Sequence, residues 1–86
     1  MDAIIIDVRT KQEFDAGHVD GALNIPYDII ADKIGTVTTD KNKKIILYCR
    51  SARRSGIAKG TLEKMGYNNV ENGGTLQEMQ KRMKGR

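Results

Sequence analysis

The chain has 86 residues, of which 38% are hydrophobic and 30% charged, so we expect one globular domain over residues 1–86. A single cysteine excludes an internal disulfide, and beside a single histidine it offers no zinc-type ligand spacing. A net charge of +4 could steer small anions, but one phenylalanine and three tyrosines are too few stacking partners to favour nucleic-acid binding.

The N-terminal residues lack the basic region, long apolar segment and cleavage site of a secretory signal peptide. No stretch of the chain has the length of a transmembrane helix. We therefore expect a cytoplasmic protein, or a periplasmic one if a leader has been removed. We also expect it to act as a monomer without membrane contact, metal or cofactor.

Two strands and one short helix are predicted in the first part of the chain. Residues 3–8 are an isoleucine-rich run typical of a buried strand. Thr10 and Glu13 match a capping box, which predicts a helix that Gly17 ends within two turns. Residues 22–25 indicate a second, shorter strand, ended by the only proline.

The middle of the chain carries the clearest strand. Apolar residues at helical spacing predict an amphipathic helix over residues 28–37, and residues 44–48 form an apolar run that predicts a buried strand. A loop, Cys49–Ser55, follows, and a helical pattern runs from Gly56 until Gly66 ends it. The residues predicted to form the apolar face of this helix are Ile57, Ala58, Leu62 and Met65.

The last elements are a strand over residues 69–71, a turn over 72–74 and a final helix. Thr75 and Glu78 match a second capping box at the start of this helix. Its predicted apolar stripe consists of Leu76, Met79 and Met83. Strands that alternate with helices predict an α/β domain with a mostly parallel sheet of about four strands, flanked by helices in three layers.

Cys49 is the residue with the most distinctive chemical setting. A thiol attacks as its thiolate, which is favoured by a helix N-terminus and by nearby cations. Three arginines follow Cys49 within five positions, and the turn from strand to helix directs backbone N–H groups toward the sulfur. Asp7 and Arg9 end the first strand, so a parallel sheet brings them to the same edge. The pattern predicts nucleophilic sulfur chemistry on an anionic substrate.

Several short motifs occur together in a recognisable order. They are Ile6-Asp7-Val8-Arg9, Glu13-Phe14, Gly17-His18-Val19, Gly21-Ala22-Leu23-Asn24-Ile25-Pro26, Cys49 through Ser55, Gly66-Tyr67, Val70 and Gly73-Gly74. Each motif alone is weak, but their order and spacing cover nearly the whole chain. By these motifs the chain resembles a single-domain rhodanese, a sulfurtransferase.

The resemblance implies that Cys49 takes sulfane sulfur from thiosulfate, or from a related persulfide or polysulfide, and becomes a persulfide. Cyanide, a small thiol, or an acceptor protein such as a thioredoxin-like one would then remove the sulfur. The substrate-binding loop would consist of Arg50, Ser51, Ala52, Arg53, Arg54 and Ser55. Arg50 and Arg53 would attract the anionic donor, whereas Arg54 would tie the loop to an acidic partner, for which Asp7 is our candidate. Arg9 would support the loop with Asp7.

The chain departs from the family pattern in two places. Ala52 stands where the family usually has glycine, which costs roughly 1 kcal/mol if the backbone there is left-handed. The chain also begins almost directly at the Asp7 strand, so we expect an N-terminally trimmed form of the fold.

Alternative functions differ in what they require of the loop. A tyrosine-phosphatase-like or arsenate-reducing site places five residues between its cysteine and arginine, whereas here the sixth residue after Cys49 is Ser55. A thioredoxin-like oxidoreductase needs a second cysteine. A non-catalytic rhodanese-like binding module typically lacks the cysteine, and a persulfide carrier would share all these residues. We interpret His18 as a structural histidine and not as a general base.

Overall fold

The computed structural model describes residues 3–84 of the chain. Four strands alternate with four helices in this part of the chain. The elements are β1 (Ile4–Asp7), α1 (Lys11–Ala16), β2 (Leu23–Asn24), α2 (Ile30–Val37), β3 (Ile45–Cys49), α3 (Arg53–Lys64), β4 (Val70–Thr75) and α4 (Leu76–Lys84).

The four strands form one sheet in the order β2-β1-β3-β4, and every neighbouring pair is parallel. Asp7, the last residue of β1, lies beside Tyr48, the residue before Cys49 in β3. Parallel strands end at a common edge, which therefore holds Asp7 and Cys49. The predicted α/β fold with a parallel sheet is confirmed.

The two faces of the sheet carry separate apolar clusters, which accounts for the three layers. Alternate residues of a strand point to opposite faces. Ile45, Leu47 and Cys49 accordingly pack with residues of α2 and α3, whereas Ile46 and Tyr48 pack with Met79 of α4. All five residues of β3 are buried, as expected for a central strand covered on both faces.

The predicted helix ends are largely confirmed. Thr10 and Glu13 form the capping box of α1, and Gly17 lies at its C-terminal end. Thr75 Oγ1 accepts from the Glu78 N–H at 3.1 Å, and the Glu78 carboxylate accepts from the Thr75 N–H at 3.0 Å. Gly66 follows α3 with φ +98°, a left-handed conformation that favours glycine.

Three details of the predicted second half are wrong. Helix α3 begins at Arg53, inside the predicted loop, and not at Gly56. Ile57 is 43% exposed and Met65 37% exposed, so only Ala58 and Leu62 of the predicted apolar face are buried. Residues 72–74 lie within β4 and not in a turn, because a register irregularity beside Leu47 lets the strand continue to Thr75.

None of the helices in the described residues is both long and apolar enough to cross a membrane.

Candidate active site

Cys49 ends strand β3 and is fully buried. Its side chain lies on the face of the sheet covered by α2 and α3, and the chain turns directly after it into the first turn of α3. The short turn, residues 50–52, therefore connects the sulfur to a helix N-terminus. This is the strand-to-helix turn that the sequence predicts around Cys49.

Ala52 occupies the N-cap position of α3 with φ 70° and ψ −9°. It is the only non-glycine residue with positive φ among residues 3–84. Glycine adopts this left-handed conformation without steric cost, whereas the Cβ of alanine crowds the following carbonyl oxygen. Ala52 thus adopts the left-handed conformation in which alanine is less stable than glycine.

Ser55 supplies the hydrogen bonds that lie closest to the sulfur. Its backbone N–H donates to Cys49 Sγ at 3.4 Å, and its Oγ lies 3.4 Å from the same atom. Burial by itself raises the pKa of the thiol, but the Ser55 hydroxyl and the backbone N–H groups of Ser55, Ser51 and Arg54 outweigh it. The net effect is a Cys49 pKa below its ordinary value, which favours the thiolate.

Arg54 pairs with Glu13 and not with Asp7, which corrects our expectation. Its Nη1 and Nη2 donate to Glu13 Oε1 and Oε2 at 2.9 and 3.0 Å. Hydrogen bonding from Arg54 and Thr10 outweighs partial burial and lowers the pKa of Glu13 to about 2. The predicted structural role for Arg54 thus has a different acidic partner, one that belongs to the capping box of α1.

Asp7 has a nearer partner in Arg9, which explains the correction. The Asp7 carboxylate accepts from the backbone N–H and the Nε of Arg9, both at 2.9 Å, and from its Nη2 at 2.6 Å. Nη2 also donates to the Gly17 carbonyl oxygen at 2.6 Å. This buried pair ties the end of β1 to the end of α1. Arg54 of the loop pairs with Glu13 and not with either residue of this pair.

Arg50 and Arg53 are exposed, in agreement with a position around the mouth of the site. Neither guanidinium forms a salt bridge within residues 3–84. Beside Arg50 lies an open cleft of about 360 Å³, whose other lining residues are Arg9, Glu13, Ala16, Leu76 and Gln77. The two side chains are thus free to attract an anion that approaches from solvent.

The contacts of His18 are structural ones with Phe14 of α1. Its ring stacks on Phe14 with a centroid distance of 3.6 Å, and its Nδ1 lies 2.8 Å from the Phe14 carbonyl oxygen. These contacts agree with its interpretation as a structural histidine. No three His, Cys, Asp or Glu side chains in the described part of the chain are placed to hold a metal ion.

Asn72 is a site residue that the sequence analysis missed. It lies in β4 at the register irregularity, and its side chain reaches both Ala52 and Ser55 of the loop. Because Asn and Gly favour turns, the sequence predicts a turn at Asn72-Gly73-Gly74 and no role for Asn72 at the site. The only feature of the sequence that points to a role for Asn72 is its position next to the motif residues Gly73-Gly74.

The sequence of this chain is similar to those of known proteins. The model of the rhodanese-like domain family matches residues 1–74. The thiosulfate sulfurtransferase PspE of Escherichia coli K12 is 43% identical over 74 residues, which cover 86% of this chain and 71% of that protein. The uncharacterized protein YqhL of Bacillus subtilis is 41% identical over 70 residues, which cover 81% of this chain and 54% of that protein.

Solved structures of similar proteins superpose on this chain. A structure described as rhodanese with anions from E. coli superposes with a TM-score of 0.85 at 42% identity, covering 88% of this chain and 89% of that one. A rhodanese-like domain from Anabaena superposes with a TM-score of 0.79 at 25% identity, covering 92% and 91% of the two chains.

Proposed function

Because this chain belongs to the rhodanese-like domain family, whose model and relatives cover most of its length, we propose that it transfers sulfane sulfur through a persulfide on Cys49. Thiosulfate, or a related persulfide or polysulfide, is the donor, and cyanide or a thiol is the acceptor. The observation that carries the proposal is the setting of Cys49. A thiol with a lowered pKa lies at the base of a loop whose N–H groups and arginines suit an anion.

In the first step the Cys49 thiolate attacks the outer sulfur of thiosulfate. A bond forms between Sγ and that sulfur, the sulfur–sulfur bond of the donor breaks, and its electron pair leaves with sulfite. The charges of Arg50 and Arg53 favour the approach of the dianion. Because Cys49 is fully buried, the loop around it must open enough to admit one sulfur atom.

In the second step an acceptor attacks the outer sulfur of the persulfide. The bond between Sγ and this sulfur breaks, and its electron pair returns to Cys49 as thiolate. The hydrogen bonds from Ser55 and from the loop N–H groups that stabilise the thiolate make Cys49 a better leaving group in this step. One site thus serves both half-reactions without a cofactor.

Phosphatase chemistry fits this site poorly for a reason visible in the side chains. A phosphatase loop directs its arginine at the phosphoryl oxygens. Arg54 is the fifth residue after Cys49, and both of its terminal nitrogens donate to Glu13. The loop therefore presents backbone N–H groups and the exposed Arg50 and Arg53, but no bidentate guanidinium, to an incoming anion.

The assay that tests the proposal measures thiocyanate formed from thiosulfate and cyanide. We expect the wild-type protein to produce thiocyanate and Cys49→Ser to produce none while it melts as a folded protein. Thr36→Ala is a control for loss of a hydroxyl elsewhere, because Thr36 is an exposed residue of α2 outside the cysteine loop. Thiocyanate from folded Cys49→Ser at a rate near that of the wild type would reject the assignment.

A further inference from the structure

The side chain of Asn72 forms three hydrogen bonds, two of which join strand β4 to the active-site loop. Its Oδ1 lies 2.7 Å from Ser55 Oγ and accepts from the Gly74 N–H at 3.0 Å. Its Nδ2 donates to the Ala52 carbonyl oxygen at 3.2 Å. Asn72 therefore contacts the residue that contacts the sulfur.

The contact with Gly74 fixes which way the amide of Asn72 faces. A backbone N–H can only donate, so the atom it meets is the amide oxygen. That oxygen can only accept, so at 2.7 Å the Ser55 hydroxyl must be the donor to it. The Ala52 carbonyl oxygen, 3.1 Å from Ser55 Oγ, is a second and more distant acceptor for the same proton. In this arrangement Ser55 Oγ has no proton left for Cys49, and it can only accept from the thiol S–H.

Ionisation of Cys49 reverses this preference, because a thiolate needs donors. The single hydroxyl proton of Ser55 then turns toward Sγ, 3.4 Å away, and leaves Asn72 Oδ1 with the Gly74 N–H alone. We propose that Asn72 is a positioning residue that competes with Cys49 for the Ser55 proton and so sets the basicity of the sulfur. Removal of Asn72 Oδ1 takes away the nearer of the two competing acceptors and leaves the Ala52 carbonyl oxygen at 3.1 Å, so the proton becomes more available to the thiolate.

The loop does not depend on Asn72 for its position. The Ala52 carbonyl oxygen also accepts from the Gly56 N–H at 3.1 Å, which is the first hydrogen bond of α3. Ser55 itself lies in the first turn of α3 and is fully buried. Loss of the exposed Asn72 side chain thus leaves the N–H groups of the loop directed at the sulfur.

The charged groups around Cys49 remain in place when Asn72 changes. Two ion pairs flank the site, Arg54 with Glu13 and Arg9 with Asp7. The remaining charged side chains at this edge are Arg50 and Arg53 on the loop and Glu78, whose carboxylate accepts from the N–H of Thr75, the β4 residue beside Cys49. Glu71 lies farther back on β4, beside Ile46, and is paired with Lys44 and Arg82. A change in the Cys49 pKa of a neutral Asn72 variant is therefore not explained by a lost ion pair.

The consequence for catalysis rests on the proposed sulfur transfer. Cys49 is the nucleophile in the first step and the leaving group in the second. A lower thiol pKa weakens intrinsic nucleophilicity but speeds departure of the thiolate. Asn72 would therefore balance the two steps, and its loss would favour the second at the expense of the first.

The test is the pH dependence of iodoacetamide alkylation of Cys49, the only thiol in the chain. The four proteins compared are the wild type, Asn72→Ala, Ser55→Ala and the double variant. We expect Asn72→Ala to raise the thiolate fraction below the pKa about threefold, which is the size of one modest hydrogen bond. In the Ser55→Ala background the same change should have a clearly smaller effect, since the competing proton is absent.

Two further variants keep the test decisive. Asn69→Ala, which removes an exposed amide just before β4, should leave the alkylation profile unchanged. Asn72→Asp keeps an acceptor oxygen and adds a negative charge, so it should shift the profile to higher pH, opposite to Asn72→Ala. An upward shift in Asn72→Ala, or an equal shift with and without Ser55, would overturn the proposal. Alkylation needs no sulfur transfer, so a protein inactive toward thiosulfate would still give this result.

Discussion

Arg54 and Glu13 lie 41 residues apart in the chain, yet their side chains form a bidentate salt bridge with N–O distances of 2.9 and 3.0 Å. Glu13 Oε1 also accepts from the Thr10 N–H at 3.1 Å. One carboxylate thus caps α1 and holds the first turn of α3, which begins at Arg53, four residues after Cys49. The position of the active-site loop therefore depends on a residue far from the cysteine.

Glu13→Gln should destabilise the folded protein by about 1 kcal/mol at neutral pH, because it removes the charge from a partly exposed bidentate pair, whereas the Gln side chain can still cap the helix. Arg54 lowers the folded-state pKa of Glu13 to about 2, from an ordinary value of 4.5. A depressed carboxyl pKa contributes stability above pH 4.5, and this contribution is lost as the pH falls toward 2. The difference in melting temperature between wild type and variant should shrink across that interval.

Glu63→Gln is the control for that measurement, because Glu63 belongs to an exposed pair with Lys59 within α3. Its melting temperature should stay close to that of the wild type at every pH. A Glu13→Gln protein as stable as Glu63→Gln at neutral pH would show that the Arg54–Glu13 pair does not stabilise the fold.

Ala52→Gly should leave stability unchanged or raise it by up to about 1 kcal/mol, because glycine adopts φ 70° without the cost that alanine bears. Ala31→Gly, an exposed change within α2, should instead lower stability by about 0.5–1 kcal/mol. Denaturant unfolding of the two variants compares the positions directly. Equal losses in both would contradict the left-handed conformation at Ala52.

Ser55→Ala should raise the apparent pKa of Cys49. Burial alone raises this pKa, and the hydrogen bonds of Ser55 are among those that outweigh it in the native protein. Without the hydroxyl, the thiolate should appear only at higher pH in ultraviolet absorbance. Ser51→Ala keeps the backbone N–H and should titrate like the wild type. A Ser55→Ala protein with an unchanged titration would remove Ser55 from the account of the thiolate.

Arg50→Ala and Arg53→Ala should each raise the KM for thiosulfate roughly threefold with little change in kcat, because their exposed charges act on the approach of the donor. Both variants should also show a weaker dependence of kcat/KM on salt. Lys64→Ala removes the same charge from the exposed far end of α3 and should leave KM unchanged. A loss of kcat at unchanged KM would instead place these arginines in the chemical step.

The features that the sequence predicted correctly depend on local patterns. The capping boxes at Thr10 and Thr75 satisfy backbone N–H groups within one helical turn, so they can be recognised without knowledge of the rest of the fold. The meeting of Asp7 and Cys49 at one sheet edge followed from parallel strands alone.

The errors concern choices between residues that are distant in the chain. Asp7 is predicted as the partner of Arg54 because it ends a strand at the predicted edge, but Arg9, two residues from Asp7, already binds its carboxylate. Gly73 predicted a turn, whereas it lies in β4 because of packing. A Cβ there would lie 2.6 Å from Met79 Sδ and 2.9 Å from Ile46 Cγ2. The partner of Arg54 and the place of Gly73 in a strand both depend on how the elements pack together, so the sequence alone does not predict them.

The most direct test of a Cys49 persulfide is the intact mass of the protein after exposure to thiosulfate and removal of excess donor. The wild type should gain the mass of one sulfur atom, lose it again on addition of cyanide, and yield thiocyanate, whereas Cys49→Ser should gain nothing. A wild-type protein that turns over thiosulfate without a bound sulfur, or an equal sulfur adduct on Cys49→Ser, would contradict the account.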